Sequence, residues 1–96
     1  MQNYRITFLA VESGALQEDV RELLHGALED MPGVDEPGGA TIDGSVVGAS
    51  FTIEVQHAMA EAARDGARLA KEALKSAGMP DSKLVDLRAE LIGGAR

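Results

Sequence analysis

Cysteine is absent from this chain, so no disulfide or thiolate metal site can form and stability has to come from packing. Aromatic residues are nearly absent as well, with Tyr4, Phe8 and Phe51 the full set. No apolar run approaches the ~20 residues that a membrane-spanning helix requires. The N-terminus carries no basic region followed by an apolar one, which is the mark of a secretory leader. The expectation is a soluble, cytoplasmic protein with no membrane partner. Its 96 residues suffice for one domain with a single core and little surplus. We expect that domain to span residues 1–92, with 93–96 a flexible C-terminal tail.

Positive charge is scarce in the first half of the chain. Residues 1–54 hold ten acids against two bases, Arg5 and Arg21, whereas residues 55–96 hold six acids against seven bases. The net charge of −7 therefore sits on one half, which should repel nucleic acid and attract basic partners.

The central stretch runs from Ser45 to Gly78. Within it Ala49, Phe51, Ile53 and Val55 alternate with Ser50, Thr52 and Glu54, as a strand with one buried face requires. An alanine-rich helix follows over about Ala58–Ala77. Its expected buried stripe is Met59, Ala62, Ala63, Gly66, Ala70, Ala73, Leu74 and Ala77. Most of these are small, so the helix can lie close to the sheet, which would compensate the ~1 kcal/mol that Gly66 costs in mid-helix. Gly78 in a left-handed cap, followed by Pro80, stops it.

Upstream, Tyr4–Glu12 reads as a strand with apolar residues on both rows, which suits a central position. Ser13 has the chemistry of a helix N-cap. A first helix is expected over about Ala15–Met31, burying Leu16, Val20, Leu23, Leu24, Ala27, Leu28 and Met31. Pro32–Gly39 reads as a loop, and Ala40–Ile42 as a short strand. Asp43-Gly44 suits a tight primed turn that would set Ile42 opposite Ser45 and Ala40 opposite Val47. Leu84–Ile92 is the last strand, with Val85, Leu87, Ala89 and Leu91 inward and Asp86, Arg88 and Glu90 outward.

The order β-α-β-β-α-β is that of the ferredoxin-like α+β sandwich, a four-stranded antiparallel sheet with two helices on one face. Right-handed crossovers put strands one and three in the middle and two and four at the edges. Both edges and the open face are then available to another chain.

The chemistry-bearing residues form no constellation in the sequence. Acid–base catalysis needs carboxylates converging on a cleft, and here they fall on exposed helix faces and outward strand rows. His25 has Glu22 and Glu29 on neighbouring turns, and His57 has Glu61, but each set offers fewer ligands than a closed metal site needs. Glu-Ser13-Gly lacks the full glycine pattern of a nucleophile elbow, and Gly38-Gly39 lacks the ending of a phosphate loop. Arg64, Arg68, Lys71 and Lys75 make a basic ridge on the second helix, interleaved with Glu61, Asp65 and Glu72 as on a salt-bridged exposed face. All three aromatics lie on core-facing rows, so the sheet has no platform for base stacking and nucleic acid is not expected. Neither a cofactor nor a metal is expected.

Two resemblances can be placed on particular residues. Val11-Glu12-Ser13-Gly14-Ala15-Leu16 resembles the strand-to-helix turn of ACT regulatory domains, with Ser13 where that family has proline. The resemblance implies amino-acid binding near Gly14 and Leu16 across a dimer interface. The outline of Phe51-Thr52-Ile53-Glu54-Val55, the alanine-rich helix, Gly78-Met79-Pro80 and a closing strand is similar to short ferredoxin-like proteins of high-GC bacteria and their phages. It implies no chemistry.

The leading expectation is a non-catalytic, self-associating protein-interaction module, phage-encoded if the second resemblance holds. Its candidate partner-binding residues are the acids of helix one (Glu18, Asp19, Glu22, Glu29, Asp30), the loop acids Asp35 and Glu36, and Leu9 and Val11 on the open sheet face. The alternative is a dimeric amino-acid sensor at Gly14 and Leu16. An enzyme would need His25 or His57 in a buried pocket.

Overall fold

The computed structural model describes residues 2–13, 18–56 and 59–94. The elements are β1 (Gln2–Val11), α1 (Asp19–Asp30), β2 (Glu36–Asp43), β3 (Val46–Val55), α2 (Met59–Ser76) and β4 (Lys83–Gly94). The four strands are antiparallel in the order β2-β3-β1-β4, with β1 and β3 central as expected. This is the ferredoxin-like α+β fold. Gly14 to Gln17, and with them the ACT-like turn, lie outside the described residues, as does His57.

Strict alternation builds the core. Tyr4, Ile6, Phe8 and Ala10 of β1 are buried beside Val47, Ala49, Phe51, Ile53 and Val55 of β3. Phe8 and Phe51 meet edge to face, with ring centroids 6.1 Å apart. Leu24 and Leu28 of α1 and Ala62, Leu69, Ala70, Ala73 and Leu74 of α2 cover them. A Cβ on Gly66 would lie 2.9–3.0 Å from Cδ1, Cγ1 and Cγ2 of Ile6, so the close approach of α2 depends on that glycine. Leu69, not expected inside, is 3% exposed, whereas Met59, placed in the buried stripe by its spacing, is 53% exposed at the first helical position.

The end of α2 is a Schellman cap. The Gly78 N–H donates to the Lys75 carbonyl, and the Met79 N–H donates to the Leu74 carbonyl at 2.9 Å. Gly78 has φ +88°, and Met79 is buried against the core just beyond it. At the start of α1, Glu18 rather than Ser13 stands before the first helical residue, and its side chain makes no capping bond.

The β2–β3 hairpin departs from the expected register. Asp43 pairs with Val46 and Ile42 with Val47, so Gly44 and Ser45 form the loop. Gly44 has φ +63° and Ser45, like every non-glycine residue among those described, has no positive φ, the type II′ requirement of glycine at the first central position only. Asp43-Gly44 would demand positive φ at both. The shift also sets Ile42 against Val47 instead of against Ser45, which matches apolar with apolar. Gly44→Ala should cost about 1–2 kcal/mol through its left-handed backbone. Asp43→Ala should stay within about 0.5 kcal/mol, and urea denaturation of the two variants separates these turns.

The segment Glu36–Gly39, expected as loop, is strand. Glu36 pairs with Thr52 and Pro37 with Phe51, and Gly38-Gly39 then form a bulge opposite Ser50. Proline is tolerated because β2 is an edge strand. A side chain at Gly38 would collide with Ser50 Oγ.

β4 is the longest strand, reaching Gly94 instead of fraying after Ile92, and it is interrupted twice. Its register against β1 shifts between Leu9 and Ala10, which leaves Val85 unpaired, and between Asn3 and Tyr4, which leaves Ile92 unpaired. The first bulge corrects the expected alternation. Leu84, Leu87 and Ala89 pack against the core, and Val85 is 57% exposed. Leu91, opposite Tyr4, shares the helix-covered side but remains 51% exposed at the edge.

Candidate interaction surface

Successive residues of an α-helix turn by roughly 100°, which sorts the surface of α1 into two flanks around its buried line. Leu24 and Leu28, with Val20, Ala27 and Met31 partly buried, define that line. Glu18, Glu22, His25 and Glu29 share one flank, and Asp19, Leu23, Gly26 and Asp30 the other. The five acids are exposed, as expected. Leu23 is corrected: it lies on the second flank and is 51% exposed.

The first flank faces β2. His25 Nε2 lies 3.7 Å from Glu29 Oε2, and His25 Nδ1 lies 3.3 Å from the Gly38 carbonyl oxygen in the bulge. The ring thus spans helix and strand while remaining exposed. Among the described residues, no group of three or more histidines and acids is placed to hold a metal ion.

The second flank faces α2. Between the two helices runs an open groove of about 770 Å³, with Leu23, Gly26, Ala27 and Asp30 on the α1 side and Glu72, Lys75 and Ser76 on the α2 side. Met31 and Pro32 complete its lining. Its wall is apolar along α1, and its rim carries two carboxylates and one ammonium. Sequence reasoning missed the contribution of Glu72 and Lys75. Their membership of the basic ridge and its acidic border pointed only to solvent, and nothing in their spacing shows which helix stands beside them.

Against known proteins, the sequence matches no family model, and no curated protein matches it. The reading therefore rests on the geometry.

The remaining candidates lie elsewhere. The Asp35 N–H donates to the Thr52 carbonyl at 2.9 Å, and Asp35 and Glu36 line a shallow depression with Asn3, Thr52 and Ile92 at the end of the sheet. They are not continuous with the α1 acids along the groove. Leu9 and Val11 are on the open face, opposite Gly48 and Val46. Leu9 leans over Gly48, where a Cβ would come within 2.8 Å of its Cδ2, and it stays 39% exposed. Around it the face is polar: Arg5 stands opposite Glu90, Thr7 opposite Arg88, and Leu9 itself opposite Asp86.

Charge on the described surface is little neutralised. The ion pairs between permanently charged side chains there are Arg68–Glu72 and Asp86–Arg88, and the His25–Glu29 contact joins them only when the imidazole is protonated; each is 3.6–3.7 Å long and solvent-exposed. Pairs of this kind contribute about 0–1 kcal/mol. The other ridge bases, Arg64, Lys71 and Lys75, are exposed like Arg68, Lys75 at the rim of the groove. No polar or charged residue is buried among the described residues. Gly14 and Leu16, the candidate ligand-binding pair, are outside them.

Proposed function

We propose that this protein is a non-catalytic protein-interaction module that takes a basic, amphipathic helical segment of another protein along the groove between α1 and α2. The observation that carries the reading is Leu23. A half-exposed leucine on a helix flank, above an open groove and between exposed acids, offers an apolar anchor within a field of negative charge. Helix-in-groove recognition uses that combination, apolar anchors for affinity and complementary charge at the rim for orientation and on-rate. The acid excess of residues 1–54 favours a basic partner over an acidic one.

The test is capture of partners from the native host by wild-type protein and two variants, followed by titration of the captured protein. Leu23→Asp should weaken binding at least about tenfold, the effect of removing a buried anchor. Reversal of Glu18, Asp19 and Glu22 to lysine should slow association and flatten its salt dependence. Unchanged capture by both variants would sink the reading. In a thermal-shift screen no amino acid is expected to raise the melting temperature; one that did would favour the sensor reading at Gly14 and Leu16.

A further inference from the structure

The two edges of the sheet are not equivalent. β2 is blunted by Pro37, by the Gly38-Gly39 bulge and by the charged ends Glu36 and Asp43, devices that discourage strand addition. β4 has no proline, and it carries three of the exposed large apolar residues, Val85, Leu91 and Ile92. Its bulges at Val85 and Ile92 leave one regular stretch between them, Asp86–Leu91.

We propose that β4 pairs antiparallel with β4 of a second copy, with Ala89 on the two-fold axis, giving one continuous eight-stranded sheet with all four helices on the same face. The register follows from the regular stretch. Directly opposed residues in an antiparallel pair project to the same face, so the axis must pass through a residue. Only Arg88 or Ala89 at the axis lets five residues of each strand pair within Asp86–Leu91. With Arg88 there, the two Arg88 side chains oppose each other and Asp86 opposes Glu90 twice, so every charged pair is repulsive. With Ala89 there, Arg88 opposes Glu90 twice on the open face, and Leu87 opposes Leu91 twice on the helix side. The second register matches charge with charge and covers the exposed Leu91. It also extends a row already present in one protomer, where Glu90 stands opposite Arg5 and Arg88 opposite Thr7. The bulges that flank the stretch keep the pairing from sliding.

Because the native chain has no cysteine, single-cysteine variants report the axis cleanly. Under mild oxidation Ala89→Cys should form a disulfide-linked dimer in high yield, while Leu87→Cys and Arg88→Cys should stay largely unlinked. Preferential linking of either of the latter would overturn the register. Sedimentation velocity of the unmodified protein should show a dimer; a monomer up to the solubility limit would overturn the interface altogether. Arg88→Glu alone should raise the dimer dissociation constant by about tenfold through two new like-charge pairs, and Glu90→Arg should do the same. The double variant Arg88→Glu/Glu90→Arg should regain the dimer, since the swap preserves both opposite-charge pairs across the two-fold axis, although within each protomer it sets an arginine at position 90 opposite Arg5. Circular dichroism of each variant shows that its fold is retained, and a double variant that folds yet stays dissociated would count against the proposal. The variants of the preceding section lie on α1 or at its N-terminal end, which does not contact β4, so loss of partner capture there leaves this dimer intact.

Discussion

Phe51→Ala is expected to lower the free energy of unfolding by about 3–5 kcal/mol. Phe51 is 1% exposed on central strand β3, and its ring meets Phe8 edge to face at 63°. Truncation removes the largest side chain of β3 and leaves a cavity between the sheet and the helices. In a fold this dense, neighbours close such a cavity only in part, so the lost contacts add to the lost transfer free energy. With three aromatics in the whole chain, no other ring can fill the space. A domain of this size has about 5–15 kcal/mol of stability in total, so the variant should sit near its folding threshold. Urea denaturation checks this: the midpoint should fall sharply with the slope unchanged. A loss below about 1 kcal/mol would mean that the site collapses freely and that the two layers are not packed as described.

Gly66→Val should cost about 2–3 kcal/mol, although valine is the better helix former. The propensity gain is a few tenths of a kcal/mol. Against it stands a steric conflict with Ile6, which is fully buried on central strand β1, is β-branched and cannot swing aside. Even a Cβ would meet three Ile6 carbons at 2.9–3.0 Å. Ile6→Ala by itself should cost about 2–5 kcal/mol by opening a cavity. Together the two changes exchange volume across one contact, so the double variant should be more stable than the sum of the singles by about 1 kcal/mol or more. Strict additivity would show that the helix shifts away from the strand instead of resting on it.

The strand–helix alternation, the buried rows of β1 and β3 and the stop at Gly78 could be read from residue order, because each depends on spacing or on backbone conformation within a few residues, and the topology followed from the order of elements under the right-handed crossover rule. Three features could not. Glu36–Gly39 has the composition of a loop, and only its position at a sheet edge, where proline loses no necessary hydrogen bond, makes it strand. Val85 follows the alternation of β4 to the core side, yet the register against β1 leaves it unpaired and turns Leu84 inward instead. Leu23 has helical spacing with Val20 and Ala27, but the narrow line of contact between α1 and the sheet leaves it in the open.

What the amino-acid order determined by itself is the periodicity of each segment and the glycines that end or bend it, since steric limits on the backbone and the pitch of a helix or strand are local. Which apolar residues stayed outside, and therefore where this protein offers a groove and an edge, was decided only when the elements packed. That outcome depends on strand register and on the distance between layers, which residues far apart in the chain set jointly.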